Sequence, residues 1–237
     1  MKRLGLVKTA AGEGYDADFM DAMASEYDRR TPWTVMRLEN IRVLVDPQPG
    51  DRVLDLGSAA GAMAHYLSTF GCDAVGVDSS ELGVEHARVR YPDLRFEVAD
   101  VAALPFADET FDKVVAADLT EHLDDDTFRA MLAESFRVLA PGGTLSIHTP
   151  NPGHLIERLK RRNLLLAQNP THIGLRTRAE LRAEFERAGF AVDLDLRRPS
   201  FFPVLRTLER LSRGRSDLLG YRLCMRVRKS AVLPAES

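Results

Sequence analysis

The chain has 237 residues, with 32 Lys and Arg against 35 Asp and Glu and a formal net charge of -3. That length suffices for one large α/β domain with a sizeable core, and the charge balance gives no general attraction to nucleic acid. Two distant cysteines, Cys72 and Cys224, without a CxxC spacing argue against a disulfide framework and fit a reducing cytoplasm, while no apolar run approaches the ~20 residues of a spanning helix and Met1–Gly14 lacks the apolar core of a signal peptide.

The start, Met1–Ala17, reads as loose chain or a flap. Asp18–Tyr27 and Thr34–Val45 have helical character, with Met36, Ile41 and Leu44 able to share a face; Trp33, between them, reads as packing or as part of a lid. Val53–Leu56 is a short apolar run, predicted as a buried strand. Gly57 and Gly61 then punctuate a tight turn, and Gly61–Phe70 has helical spacing. A strand, a small-residue turn and a helix N-terminus make a nucleotide-binding loop, because backbone can approach a ligand there and amides point outward. The acid Asp55 gives this loop the pattern D-x-G-x-A-x-G.

Asp73–Val77 is the second predicted strand, ending at Asp78, which lies 17 residues after Gly61. An acid ending the second strand of a βαβ unit can accept hydrogen bonds from both hydroxyls of a ribose; the alternative is a helix cap, which Asp78, Ser79 and Ser80 all favour. Ser80–Tyr91 is the next helix and Leu94–Val98 the third strand, followed by Asp100 and Val101. Phe111–Asp118 is the fourth strand and opens onto Leu119–Thr120–Glu121–His122–Leu123. Phe128, Met131, Leu132, Phe136 and Leu139 form the buried face of a helix that Pro141–Gly142–Gly143 stops, and Thr144–Ile147 is a fifth strand. Thr177 and Glu180 form a T-x-x-E capping box for a helix with Leu181, Phe185 and Ala188 on its apolar face and Gly189 at its end. Phe190–Leu196 and Tyr221–Arg228 are the sixth and seventh strands.

Four of these motifs, at Asp55–Gly61, Asp78, Asp100–Val101 and Arg137–Gly143, stand in the order found in class I S-adenosylmethionine (SAM) methyltransferases, which the chain resembles over roughly residues 35–230. Glu121–His122 after the fourth strand makes it similar to the small-molecule type of ubiquinone and menaquinone biosynthesis. The resemblance implies a Rossmann-like, seven-stranded, mainly parallel sheet with an antiparallel edge strand and helices on both faces. It implies a single domain over 1–237, with an N-terminal helical cap over about 1–46 and lid insertions over about 152–175 and 199–218. It also implies SAM as cofactor and S-adenosyl-L-homocysteine as product. Asp55, Gly57, Ser58 and Gly61 would hold the methionine part, Asp78 with Ser79 the ribose, and Asp100 with Val101 the adenine, with Asp118 completing the contacts. One departure is Ala59, where the family usually has glycine. If that position takes positive φ, alanine costs about 1 kcal/mol.

Methyl transfer to a hydroxyl needs a base as the oxygen attacks. His122 follows the fourth strand at the ligand edge of such sheets, and imidazole titrates near neutral pH. Glu121 is expected to orient it or to cap a helix. His172, before the capped helix, is a second catalytic candidate, and His148 reads as core. These histidines lack the local spacing of a metal site, so none is expected. Two stretches, His154–Leu166 and Phe201–Arg213, read as basic amphipathic helices, either lids or a peripheral membrane-surface patch. The expected partner is a small-molecule acceptor, methylated on oxygen, for a monomer or homodimer. Nitrogen or carbon methylation, a lipid-linked or glycan acceptor, and a silent SAM-binding module are the rival readings.

Overall fold

The computed structural model describes residues 7–9, 12–14, 21, 25, 27–162, 169–200, 207, 209 and 217–230. The start of the chain, expected to be loose or part of a helical cap, instead carries an antiparallel hairpin of β1 (Val7–Thr9) and β2 (Gly12–Gly14). Helix α1 (Pro32–Val45) follows. Thr31 caps it by accepting from the Thr34 amide at 3.2 Å, and Pro32 occupies its first turn, where no amide is needed. Asp46 ends it in the left-handed conformation.

Five parallel strands form the heart of the molecule: β3 (Arg52–Leu56), β4 (Asp73–Asp78), β5 (Arg95–Val98), β6 (Phe111–Ala117) and β7 (Leu139–Pro150). With β8 (Phe190–Arg198) and β9 (Arg222–Lys229) they make a seven-stranded sheet in the order β5-β4-β3-β6-β7-β9-β8. β9 lies antiparallel to both its neighbours, so the mainly parallel sheet with an antiparallel edge is the observed one.

The apolar runs are buried on both faces, and side chains alternate between two cores. Leu54, Leu56, Val114 and Ala116 pack on one side with Phe128 and Met131 of α4 (Asp125–Val138). Val53, Val115 and Ala117 pack on the other with Ile41 of α1, Leu67 of α2 (Ala62–Ser68) and Val84 of α3 (Glu81–Arg90). This period of two under a continuous apolar run is the signature of a parallel sheet covered on both faces. Phe96 of β5 fills the space left by glycine: a Cβ on Gly76 of β4 would stand 2.6 Å from its ring and one on Gly61 2.7 Å.

One boundary differs from expectation. Helix α4 ends at Val138, and Leu139 already belongs to β7, paired with Phe111 and fully buried. Pro141–Gly142–Gly143 therefore lies inside the strand, opposite a register shift between Phe111 and Lys113. Burying Leu139 beside Phe111 ends the helix before proline does. The remaining helices are α5 (Leu155–Arg161), within the first expected lid, and α6 (Arg178–Arg187), whose capping box of Thr177 and Glu180 is formed. Among the described residues no helix is long and apolar enough to cross a membrane. Residues 163–168 of the first basic stretch, and all of Phe201–Arg213 except Thr207 and Glu209, lie outside the described residues.

The loop after β3 takes the strained conformation that its sequence foreshadows. Ala59 has φ +44°, between Gly57 at +69° and Gly61 at +80°. Asp78 Oδ2 accepts from the Ala59 amide at 2.8 Å, which fixes the alanine there. Left-handed backbone costs a residue with a Cβ about 1–2 kcal/mol, and glycine's extra freedom in the unfolded chain returns part of that. Ala59→Gly should therefore raise unfolding stability by about 1 kcal/mol in a denaturant titration. No gain would mean the loop stores no strain at this position.

Candidate active site

The carboxyl ends of β3, β4, β5 and β6 lie side by side, and each carries an acid. Asp55 is buried in β3. Burial pushes its carboxyl up to about 7, against the pull of the Arg37 charge and the Ala64 amide. Its Oδ2 and the Ser58 hydroxyl are buried without a partner. Asp78 ends β4 and serves two backbone groups at once, the Ala59 amide through Oδ2 and the Ser80 amide at 2.9 Å through Oδ1. Its carboxyl is also raised, mainly by burial. The helix cap is Ser80, which accepts from the Gly83 amide; Asp78 instead ties the loop to the start of α3, with Ser79 exposed between them. Asp100 follows β5, accepts from the Ala102 amide at 2.9 Å, and precedes the buried Val101.

These residues fit a cofactor that brings hydrogen-bond donors, as SAM does. Orphaned buried oxygens on Asp55 and Ser58 call for donors, while the amides of Ser58, Ala59 and Gly61 are already spent on the Val77 carbonyl, Asp78 and the Ser58 carbonyl. Gly57 has no room for a side chain, since a Cβ would meet Leu119 at 2.9 Å.

Asp118, at the end of β6, is placed differently from the expectation of a cofactor contact. It adopts φ +57°, and its carboxylate is committed within the protein. Arg37 of α1 donates to Oδ2 at 2.5 Å and, through Nη2, to the Ala117 carbonyl. Arg222, the first residue of β9, lies 3.0 Å from Oδ1, and His148 Nδ1 lies 3.4 Å from the same atom. The two guanidinium groups hold this carboxyl well below the usual carboxylate range despite its burial. Arg37 is itself flanked by the Tyr27 and Trp33 rings, at 5.3 and 5.7 Å. Trp33 is thus packing for an arginine, and His148 is core, as its sequence position suggested.

Thr120–His122 form a single 3₁₀ turn beyond β6. Glu121 is buried and accepts from the Thr149 hydroxyl at 3.1 Å. It does not orient His122. Burial, with the charge of Asp118 close by, pushes its carboxyl up to about 8. His122 is oriented by the main chain instead: its Nδ1 meets the Thr171 carbonyl at 3.1 Å. A carbonyl can only accept, so Nδ1 carries the proton and the neutral ring keeps its lone pair on Nε2. Burial holds His122 below the ordinary histidine value. His172 packs edge-on against it, with ring centroids 5.0 Å apart, and is driven down to about 4 by burial and by the His122 charge.

A clamp that no local motif announces brings these histidines together. Arg176 is buried and donates to the carbonyls of Thr120, Leu123 and Gly174 and to Asp125. The Gly174 amide donates to the Glu121 carbonyl, and a Cβ at Gly174 would stand 1.9 Å from the Leu123 oxygen. The segment carrying His172 is thereby stitched to the turn after β6. A second hidden pair is His154 with Glu209, 2.8 Å apart and both fully buried, which ties the start of α5 to the second expected lid.

The sequence profile of a methyltransferase-domain family matches residues 25–194. The chain belongs to the SAM-dependent methyltransferases. It is similar to a probable SAM-dependent methyltransferase of Mycolicibacterium smegmatis, 35% identical over 144 residues, covering 61% of this chain and 53% of that protein. It is also similar to a demethylmenaquinone methyltransferase of Beutenbergia cavernae, 33% identical over 136 residues, covering 55% of this chain and 56% of that one. The chain thus spans about half the length of these curated relatives. A solved SAM-dependent methyltransferase of Thermotoga maritima shares the fold, with a TM-score of 0.65 at 20% identity over 90% of this chain and 97% of that one.

The raised carboxyl of Glu121 sets a pH test. An unfolded glutamate loses its proton near pH ~4.3, whereas the folded one keeps it up to about 8. Across that window the native state binds more protons, so stability falls as pH rises. Glu121→Gln removes this contribution, and calorimetric melting between pH 5 and 8 should show a shallower decline than the native protein gives. An equally steep decline would mean that Glu121 is ionised throughout.

Proposed function

We propose that this methyltransferase acts on an oxygen of a small-molecule acceptor, with His122 taking the proton that the attacking hydroxyl loses. The observation that carries the reading is the Thr171 carbonyl on His122 Nδ1, which fixes the basic lone pair on the other ring nitrogen. A ring held below the ordinary histidine value is neutral, and so ready to accept, throughout the neutral range. His172 positions it from the side, and Glu121, protonated at neutral pH, adds no charge that would draw the proton away.

On this reading Asp55, Gly57, Ser58 and Gly61 hold the methionine part of the cofactor, Asp78 with Ser79 the ribose, and Asp100 with Val101 the adenine. The bound cofactor supplies a methyl group already activated on a sulfonium. What remains for the protein is to align an acceptor oxygen and to dispose of its proton. Asp118 serves through its position at the end of β6, since its carboxylate is engaged by Arg37 and Arg222. A small-molecule acceptor accords with the demethylmenaquinone methyltransferase relative. The buried His154–Glu209 pair ties Glu209 to the start of α5, the helix this reading takes as a lid over the acceptor.

Two measurements test the reading. Replacing Asp78 by asparagine removes charge-assisted acceptance, worth about 1.5–3 kcal/mol. Calorimetry on Asp78→Asn should show SAM binding weakened ~10- to 100-fold with the melting cooperative; unchanged affinity would remove Asp78 from the cofactor site. His122→Ala should lower kcat by ~10²–10⁴ without changing SAM affinity. In the native protein the rate should rise with pH through a value below the ordinary ~6.5 of histidine, because the neutral ring is the active form, and the variant should lack that limb. Near-native kcat in the variant would displace His122 and favour a nitrogen acceptor that needs no base.

A further inference from the structure

Glu121, His122 and His172 each offer a ligand atom, and the three atoms lie within 4.8 Å of one another. We propose that these three residues bind a divalent transition-metal ion of the Zn²⁺ class, and that such an ion silences His122 by occupying the lone pair it would use as a base. The second half of this proposal rests on the base reading given above; the first half stands without it.

Three features support a cation there. The donor set, two imidazoles and one carboxylate, suits zinc, cobalt and nickel better than magnesium or calcium, which prefer oxygen. The outer contacts are those of metal ligands. A metal-bound histidine nearly always donates its other ring N–H to a carbonyl or carboxylate, and a bound carboxylate is itself hydrogen-bonded. His122 donates to the Thr171 carbonyl, and Glu121 accepts from the Thr149 hydroxyl. Finally, the side-chain Nδ1 of His172 is buried without a hydrogen-bond partner among the described residues, so no bond at that atom opposes a small rotation of the ring.

That rotation is required. With bonds of ~2.1 Å, ligand atoms in a tetrahedral sphere stand about 3.4 Å apart, so the group must draw in by about 1 Å or more. His172 is the member free to do so, because Glu121 and His122 are pinned. The neighbouring charges permit it. The positive Arg222 is countered by Asp118, 3.0 Å away, and Lys160 by the buried Glu157, 2.7 Å away, so both cations near His172 are paired. Glu121 releases its proton to solvent as it takes up the ion, and three protein ligands leave at least one position open to water or acceptor.

The exclusion follows from valence. An imidazole with Nδ1 protonated has one lone pair, and it binds either a metal or a proton. Chelator-treated protein would then be the active form, and metal would inhibit it.

The full-length protein, stripped with chelator and dialysed, should take up one equivalent of Co²⁺ and develop the visible absorption of a low-coordinate site. Glu121→Gln and His172→Ala should each weaken that uptake at least ~10²-fold, while far-UV circular dichroism and melting report an intact fold. Either variant suffices if the other fails to fold. One equivalent of Zn²⁺ should cut methyl transfer to the acceptor at least ~10-fold, and chelator should restore it. Absence of Co²⁺ uptake in the native protein, or uptake unchanged in a folded variant, overturns the site. Uptake that raises turnover overturns the silencing, and with it the role of His122 as base. Absent uptake in a native protein that still turns over, with turnover lost in His122→Ala, would sink the metal site alone and leave the base reading standing.

Discussion

The structure depends on how one carboxylate, Asp118, is neutralised. It sits at the end of β6, the strand that joins β3 and β7, and it draws one arginine from the first long helix and another from the last strand. Removing three charges from water is expensive, and the geometry must return that cost in close contacts. The Arg37 pair does so with a short bond and a second one to the Ala117 carbonyl. Truncating Asp118 would leave two buried guanidinium groups facing each other. The left-handed backbone of Asp118 is one more cost that only this convergence explains.

The same carboxylate divides labour among its neighbours. Asp118 holds both cations and stays ionised, so Glu121, close by and equally buried, keeps its proton. Two acids in one dry pocket cannot both be charged when the cations sit on one of them. His148 is buried and shifted downward, hence neutral. The outcome is a cluster where charge sits on Asp118 and its arginines, while Glu121, His122 and His172 are uncharged at neutral pH. An uncharged polar cluster is one that a proton or a cation can alter most.

The sequence carried most of the fold because a parallel sheet writes itself as unbroken apolar runs. Val53–Leu56, Asp73–Val77 and Phe111–Asp118 all lie within a residue of the observed strands, and the acids Asp55, Asp78 and Asp100 follow from them by spacing. What the sequence concealed has a common cause. Arg37, Arg176 and Arg222 act over 81, 56 and about 100 positions, and an arginine carries no periodic mark that separates a solvated residue from a buried one. The expected α4 runs past Val138 through Leu139 because Pro141 is a stronger local signal than the burial of Leu139. Glu121 was paired with its sequence neighbour His122, whereas successive residues in a tight turn point apart, and its partner is Thr149 of β7. The hairpin near the start has too little apolar content to be read from pattern at all.

The antiparallel strand β9 explains why the surroundings of Arg222 escape sequence reasoning while Asp55, Asp78 and Asp100 do not. In a parallel strand the residue that reaches the ligand edge is the last one, and it is found by walking to the end of an apolar run, as with Asp78. β9 runs the other way. Pro150 at the end of β7 is paired with Arg222 at the start of β9, so the strand's first residue reaches the same edge. Its position is set by the segment before it, where the Asn151 side chain donates to the Gly220 carbonyl at 2.6 Å and the Asn151 amide to the Tyr221 carbonyl at 3.1 Å. Asp55, Asp78 and Asp100 thus stand at strand ends of one direction and in small-residue loops. Glu121, His122, His172 and Arg222 are brought together by a reversed strand, a 3₁₀ turn and a segment clamped by Arg176, three devices joined only in three dimensions. On the proposed function the first group serves the cofactor and the second the acceptor, and change in the second leaves the strand ends untouched.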